Sequence, residues 1–357
     1  RSHLGGLTTL SDAAAEALAK HRGPLHLGGL ATLSDAAAEA LAKHRGPLHL
    51  GGLTTLSDAA AEALLEHESE IVLYGLKDLS GASAEVLAKH SRGPLELNGV
   101  TELSDAAAEA LAKHRGRLSL NGLTTITDEQ AEILSRVEFL GLDGLISVTD
   151  AQVENLSKVD ELWLDGLTTI TDTQAERLSR VDWLSLNGLT TITDEQAESL
   201  SGVGRLALKG LTTITDEQSV ALSKHEGWLV LSGLTNLSDA QAEALAKHIG
   251  RLTLGGLTSL SDAAAEAFAK HDGDLGLMGL TSLSDTQAEA LAKHYGELHL
   301  GGLTTLSDAA AEALAKHGDR LSLDGLSSLS EAAAEALAKH DRSEEHTSEL
   351  QSHSDLV

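Results

Sequence analysis

A short pattern of apolar and polar residues recurs along the whole chain. In residues 118–123, Leu-Ser-Leu-Asn-Gly-Leu, apolar and polar positions alternate, as expected for a short strand with one buried face. A few residues later, Thr127 has the character of a helix N-cap, Asp128 lies in the first turn, and Gln130 occupies the capping-box position, which is typical of a helix start. The pattern predicts a strand, a turn and a helix in each copy.

The copies are 22 to 24 residues long, and fifteen of them are visible. We number them as repeats by the apolar residue that follows the glycine of each copy: Leu7, Leu30, Leu53, Leu76, Val100, Leu123, Leu145, Leu167, Leu189, Leu211, Leu234, Leu257, Leu280, Leu303 and Leu326. A unit this short cannot bury its own apolar face and has to pack against its neighbours. The sequence therefore predicts an α/β solenoid.

The helical part of each repeat has a predicted outer face. The Ala-rich repeats begin their helix at a serine such as Ser11, without the capping-box glutamine. Glu16 and Lys20 are spaced to form an exposed i,i+4 ion pair, and Glu109 and Lys113 repeat the spacing. These pairs are expected to lie on the solvent side of the helices.

The repeat resembles the leucine-rich repeat over residues 2–341. The central copies, such as Ile-Thr-Asp-Glu-Gln-Ala-Glu-Ser-Leu-Ser at 192–201, are similar to the helix of the cysteine-containing subtype of that family, although Gly or Asn-Gly replaces the Cys-bearing turn. The resemblance implies a right-handed, curved, horseshoe-shaped solenoid with parallel strands on the concave face and short helices on the convex face. It also implies protein binding on the concave face, and no chemistry.

The two ends of the chain depart from the repeat. The sequence begins inside a repeat, with no initiator Met and no signal peptide, so residues 1–341 are expected to be a leucine-rich-repeat solenoid truncated at both ends. Residues 342–357 abandon the pattern and resemble the conceptual translation of a DNA-sequencing adapter. We expect this tail to be artefactual and disordered and to form no part of the fold.

Composition limits the classes of function. The chain has 54 Asp and Glu against 26 Lys and Arg, a formal charge of −28, and no Cys. Such acidity repels phosphate backbones and anionic lipid, and thiolate metal sites and Cys nucleophiles are excluded. No apolar run approaches the roughly 18 residues of a membrane span. We therefore expect a protein or peptide partner, no nucleic acid and no membrane insertion.

Three positions of each repeat are expected to project from the strand face: those before, between and after the two strand leucines. We call them the first, middle and third outward columns. They hold all three Trp of the chain, together with Phe139 and Tyr74, and Trp with Arg is the pairing enriched at binding hot spots. The sequence predicts a non-catalytic protein- or peptide-binding scaffold in which exposed aromatic and basic residues, mainly of repeats 7 to 11, contact the partner: Tyr74, Arg117, Phe139, Trp163, Trp183, Arg205, Lys209, Trp228 and Arg251.

Two other interpretations of these aromatic residues stay open. They could be scattered substitutions in a drifting array, sheltered against one another. The array as a whole could be a passive spacer, or a self-associating element within a larger multidomain protein, in which the aromatic side chains contribute little.

Histidine recurs at one position near the end of the helix. Eleven repeats carry it, and four central repeats carry Val instead, which indicates a semi-buried packing role: His21, His44, His67, His90, His114, His225, His248, His271, His294, His317 and His340, against Val137, Val159, Val181 and Val203. A stacked column of imidazoles could disfavour the solenoid in acid. On the strand face, His26 and His49 are neighbours, but two neutral ligands without a carboxylate make a poor site, so no metal is predicted.

None of the candidate catalytic motifs in the sequence supports an enzymatic reaction. Residues 202–207, Gly-Val-Gly-Arg-Leu-Ala, imitate a dinucleotide fingerprint but precede a strand instead of linking a strand to a helix. Ser and Asp recur in every repeat as helix-start residues, which leaves no unique nucleophile, base and oxyanion hole. We predict no enzymatic activity and no cofactor.

Overall fold

The repeated unit of the computed structural model is a short strand, a turn and a helix. The structure describes residues 2–90 and 93–339, so the predicted tail at 342–357 lies outside the described residues. The repeating unit and its parallel strands confirm the predicted α/β leucine-rich-repeat fold class. By its internal contacts the chain divides into two compact units, Arg1–Thr168 and Thr169–Val357.

The first unit contains eight strands and seven helices in its described part. The strands are β1 (Ser2–His3), β2 (Leu25–His26), β3 (Leu48–His49), β4 (Ile71–Val72), β5 (Leu95–Glu96), β6 (Arg117–Ser119), β7 (Phe139–Gly141) and β8 (Glu161–Trp163). The helices are α1 (Asp12–Leu18), α2 (Asp35–Ala42), α3 (Asp58–Leu65), α4 (Gly81–His90), α5 (Asp105–Leu111), α6 (Asp128–Leu134) and α7 (Asp150–Leu156).

The second unit continues the same alternation. Its strands are β9 (Trp183–Ser185), β10 (Arg205–Ala207), β11 (Trp228–Val230), β12 (Leu252–Thr253), β13 (Leu275–Gly276), β14 (Leu298–His299) and β15 (Leu321–Ser322). Its helices are α8 (Asp172–Leu178), α9 (Asp194–Leu200), α10 (Asp216–Leu222), α11 (Asp239–Leu245), α12 (Asp262–Phe268), α13 (Asp285–Leu291) and α14 (Asp308–Leu314), and residues 331–339 are also helical. Across 2–90 and 93–339, every helix is too short or too polar to cross a membrane.

The core of each unit is a column of leucines in register. Parallel pairing places Leu184, Leu206 and Leu229 side by side, and these three side chains are at most 1% exposed. Strands β1 to β4 form one four-stranded sheet, and β5 to β8 and β9 to β15 follow in chain order within their units. The single 24-residue repeat falls between β4 and β5, where α4 is the longest named helix, at 10 residues.

The helices begin at the capping residues that the sequence predicted, and the side chains of these residues also bond to the preceding repeat. The Thr127 hydroxyl accepts from the backbone N–H of Gln130, and the Gln130 side chain accepts from the Thr127 N–H, both at 3.0 Å. Gln130 Nε2 also donates to the Leu103 carbonyl of the preceding repeat at 2.6 Å. In the Ala-rich repeats the Ser34 hydroxyl both caps α2 and donates to Asp12 of the preceding helix. Each cap therefore stabilises its own helix and the contact between two repeats.

One predicted surface pairing is wrong. Glu109 pairs with Arg136 of the next repeat at 2.8 Å, and not with Lys113 one turn along its own helix. Arg136 Nη1 donates to both carboxylate oxygens, at 3.1 and 2.8 Å, so the packing of neighbouring repeats decides which cation the carboxylate meets. Glu198 and Lys224 repeat this contact between repeats at 2.7 Å.

The turn after each strand brings two repeats into backbone contact. A Cβ at Gly51 would meet nothing within 4 Å, whereas a Cβ at the adjacent Gly52 would lie inside contact distance of the Gly28 carbonyl oxygen of the preceding repeat. Because that neighbour is backbone, it cannot move aside as a flexible side chain would. Glycine is required at the second position of the turn by close approach.

We expect Gly52→Ala to destabilise the array by about 1 to 3 kcal/mol, because the added methyl group overpacks a backbone contact. Gly51→Ala is the matched control and should stay within about 0.5 kcal/mol of the parent. Urea unfolding followed by circular dichroism measures both. Equal midpoints for the two variants would contradict the close-approach explanation.

The histidine column is buried more deeply than predicted. His225 and His248 are fully buried, and Nδ1 of the first lies 3.1 Å from Nε2 of the second. In the second unit the rings stack at centroid distances between 5.3 and 6.1 Å. Burial lowers the pKa of His225 to about 4, and burial together with the neighbouring imidazoles lowers that of His248 to about 3. His340 of this series lies outside the described residues.

The second unit should lose stability in mild acid. The ordinary pKa of 6.5 applies in the unfolded chain, whereas burial holds the folded pKa of His248 at about 3. The unfolded state therefore binds the proton first, so the stabilisation is complete above pH 6.5 and is lost as the pH falls toward 3. We expect His248→Val, the residue of the central repeats, to reduce the loss by up to about 1.4 kcal/mol per pH unit. Unfolding free energies measured between neutral and acidic pH test this; an unchanged slope would refute it.

Candidate functional site

Tryptophan and arginine alternate along the first outward column of the second unit. The order is Trp183 on β9, Arg205 on β10, Trp228 on β11, and Arg251 directly before β12. The Arg205 guanidinium carbon lies 4.8 Å from the centroid of Trp183, and that of Arg251 lies 4.7 Å from the centroid of Trp228. Each cation covers the indole of the preceding strand. This is the favourable geometry of a cation–π contact.

The two indoles also approach each other. Their centroids are 5.9 Å apart at an angle of 40°, although two strand spacings separate their strands by about 9.6 Å. Both rings therefore lean across β10, whose middle-column residue, Ala207, is only 7% exposed. Trp228 Nε1 donates to Thr253 Oγ1 at 3.2 Å. The expectation of exposed indoles is wrong in degree: Trp183 and Trp228 are half-buried, because each ring is in contact with an arginine and with the other ring.

The basic side chains differ in their partners. Arg205 donates to Asp182 Oδ2 at 2.8 Å, and its side chain is 38% exposed. Arg251 and Lys209 are exposed and form no ion pair in the described part of the chain. Lys209 lies in the third column and makes no ring contact with the tryptophans among the described residues.

A smaller group of the predicted residues meets in the first unit. The Arg117 guanidinium carbon lies 4.1 Å from the Trp163 centroid, and Phe139 lies between their strands, aligned with Arg117 and Glu161. Tyr74 is 50% exposed and follows β4. It lies in the turn after β4, whose sheet is separate from that of β6 to β8, so the structure does not bring Tyr74 together with Arg117 and its neighbours.

The third column holds a polar ladder that the sequence analysis missed. Asn121 Oδ1 accepts from the backbone N–H of Asp143, and Asp143 Oδ1 from that of Asp165, both at 3.1 Å. In the second unit Asn187 Oδ1 accepts from the Lys209 N–H at 2.9 Å. Burial, and secondarily the Asp165 charge, raise the pKa of Asp143. The signal was the recurrence of Asn or Asp at one repeat position from Asn98 to Asn187. These side chains connect neighbouring repeats, so their hydrogen bonds are already made within the sheet.

The candidate dinucleotide motif and the candidate metal-binding histidines both occupy positions that the repeat architecture explains. Residues 201–204 form the turn between α9 and β10, so the glycines at 202 and 204 precede a strand as predicted. The imidazoles of His26 and His49 stack at 4.2 Å with an angle of 11°. Over the ranges 2–90 and 93–339, no group of three or more His, Asp or Glu side chains is arranged to hold a metal ion.

Three solved leucine-rich-repeat proteins are similar to this chain at low identity. A TLR13 complex with ssRNA13 matches at 15% identity and a TM-score of 0.44, over 80% of this chain and 44% of that one. The Drosophila Toll–Spatzle complex matches at 13% and 0.48, over 85% and 41%, and an internalin of Listeria monocytogenes at 16% and 0.43, over 87% and 93%. The chain spans less than half the length of the first two. No protein-family model matches the sequence, and a search of curated proteins found no match.

The contact between Arg251 and Trp228 predicts how strongly acrylamide, a neutral quencher, reduces the fluorescence of this indole. Arg251→Ala removes the cation that covers one face of this indole, so acrylamide quenching of tryptophan fluorescence should increase. Arg22→Ala removes the same charge from an exposed position in the first repeat and should leave quenching unchanged. An equal response of the two variants would show that the guanidinium does not shield the ring.

Proposed function

We propose that the strand face of β9 to β12 is a protein- or peptide-binding surface and that the chain acts as a non-catalytic recognition scaffold. The alternating Trp and Arg column carries this proposal. Trp183 and Trp228 are held by cation–π contacts at 4.8 and 4.7 Å and by each other. A partner would therefore meet side chains that are already ordered, and binding would cost less conformational entropy.

The packing beneath this face supports the same function. The strand leucines are at most 1% exposed on the opposite side of the sheet, so the core has no need of large aromatic side chains in the outward columns. Tryptophan and arginine also supply the largest contributions at known protein interfaces. The group of Arg117, Phe139 and Trp163 in the first unit is proposed as a further contact surface of the same kind, and the exposed ring of Tyr74 as a separate contact.

A passive spacer is the second candidate, and one observation favours it. The two rings approach each other to 5.9 Å, and the Trp228 N–H donates to Thr253, so part of their surface is already used in contacts within the sheet. A spacer or self-associating array would need no other role for them. Such an array would bind no peptide through this face, and its mass in solution would be unaffected by changes there.

Peptide selection tests the proposal. Peptides selected from a random library on the full chain should bind the parent and lose at least about tenfold in affinity to a Trp183→Ala, Trp228→Ala double variant, because hot-spot aromatics dominate binding energy. Tyr295→Ala is the control, since this residue is 75% exposed, lies in an isolated bridge with Asp272 and does not belong to the outward columns.

The readout is fluorescence polarisation, with circular dichroism to show that each variant is folded. Unchanged affinity in the double variant, or equal losses in the double variant and the control, would overturn the assignment of this face and favour the spacer.

A further inference from the structure

Asparagine precedes glycine at three places in the third outward column. The pairs, each preceded by a leucine, are Asn98-Gly99, Asn121-Gly122 and Asn187-Gly188. The glycine is set by packing, as at Gly52, because a Cβ at Gly122 would lie inside contact distance of the Val100 carbonyl oxygen. An asparagine in this column is therefore followed by a residue without a side chain, whose backbone nitrogen can approach the asparagine amide closely.

An Asn-Gly pair can lose its amide by a reaction within the chain. The glycine nitrogen attacks Cγ of the asparagine, the nitrogen–Cγ bond forms, the Cγ–Nδ2 bond breaks, and ammonia leaves with the proton of the attacking N–H. Water then opens the cyclic imide at Cγ, which gives aspartate, or at the backbone carbonyl carbon, which gives isoaspartate. Because the nitrogen and Cγ have to meet, hydrogen bonds that hold the amide elsewhere slow the reaction.

Two of the three amides are held by two hydrogen bonds each. Asn121 Oδ1 accepts from the Asp143 backbone N–H at 3.1 Å, and the Asn121 side chain also hydrogen-bonds to the Asp143 carboxyl group. Asn187 Oδ1 accepts from the Lys209 backbone N–H at 2.9 Å, and Asn187 Nδ2 donates to the Ser185 hydroxyl at 2.9 Å. Both asparagines are half-buried. Each has to break two contacts before its Cγ can turn toward the glycine nitrogen.

Asn98 is held more weakly. It is exposed, its Oδ1 accepts from the Asn121 backbone N–H at the longer distance of 3.3 Å, and its Nδ2 donates to no residue within 2–90 or 93–339. The turn is also wider, because a Cβ at Gly99 would lie 3.1 Å from the nearest atom, the Leu76 carbonyl oxygen. Strand β5 is the edge strand of its sheet, so this turn lacks the regular neighbour that the other two have.

We propose that Asn98 is a modification site, at which the folded protein converts its own side-chain amide to a carboxylate through a succinimide, whereas Asn121 and Asn187 are protected. The aspartate product fits the column, since Asp143 Oδ1 accepts the following backbone N–H at 3.1 Å as an amide oxygen does. The isoaspartate product does not fit, because it lengthens the main chain by a carbon and disturbs the register of the repeats.

Peptide mapping by mass spectrometry tests the site, after the full chain has been incubated in mildly alkaline buffer made with heavy-oxygen water. Hydrolysis of the imide leaves a labelled oxygen on the converted residue. We expect label at residue 98 to accumulate at least about fivefold faster than at 121 or 187, because one more hydrogen bond has to break at each of those. Asn236 is the matched control: it is also exposed but precedes a leucine, and it should stay unlabelled.

The unfolded chain gives the intrinsic rates. In guanidinium chloride the three pairs should label at similar rates, because each has the same preceding leucine and following glycine. Ser185→Ala removes one of the two contacts of Asn187 and should speed labelling at 187 about fivefold, with circular dichroism to show that the variant is folded. Asn98→Asp, the direct product, should keep the urea midpoint of the parent.

Four results would overturn the proposal: no label at residue 98 in the folded chain, equal labelling at 98, 121 and 187, labelling of Asn236 as fast as that of Asn98, or the folded order of rates persisting in guanidinium chloride. The last would make the order a property of local sequence. Unchanged labelling of Asn187 in Ser185→Ala would show that hydrogen bonds do not protect the amide. None of these outcomes involves the tryptophan face, so the proposed function is tested separately.

Discussion

The whole structure depends on one packing constraint: a repeat of 22 to 24 residues buries its leucines only against the next repeat. Parallel pairing in register puts Leu184, Leu206 and Leu229 in one line, and apolar burial of this kind contributes the main favourable free energy of folding. Every other feature of the repeat has to respect that register. Gly52 illustrates this, because the distance that lets the leucines meet also leaves no room for a Cβ in the turn.

The sequence predicted the elements of the fold because they are local. The Thr127 cap with its Gln130 partner and the Leu118–Leu120 alternation are each set by residues a few positions apart. Contacts between repeats were harder to predict. Glu109 finds Arg136 instead of Lys113, and Asn121 reaches the backbone of the following repeat, because both choices depend on the offset between neighbouring coils. That offset is a property of the packing and not of any short window of sequence.

The sequence predicted which residues form the candidate site but not how their side chains are arranged. Recurrence in the outward columns pointed to Trp183, Trp228 and the arginines beside them, and the structure places these four in alternating contact. The approach of the two rings across β10 was not predicted, because it depends on side chains of neighbouring repeats and not on a position within one repeat. The same limitation explains the histidines: exchange with Val indicated a packing position, but only the stacked repeats show that His248 is fully buried.

The caps that connect neighbouring helices have an evolutionary consequence. Ser34 donates to Asp12 of the helix before it, and Ser307 donates to Asp285 in the same way, so the bond is rebuilt identically at distant places. Residues 3–21 and 299–317 are identical in sequence. An unequal genetic exchange that adds or removes one whole coil would rejoin surfaces that already match, whereas a gain or loss of a few residues would not. The length of such an array is therefore free to change in steps of one coil.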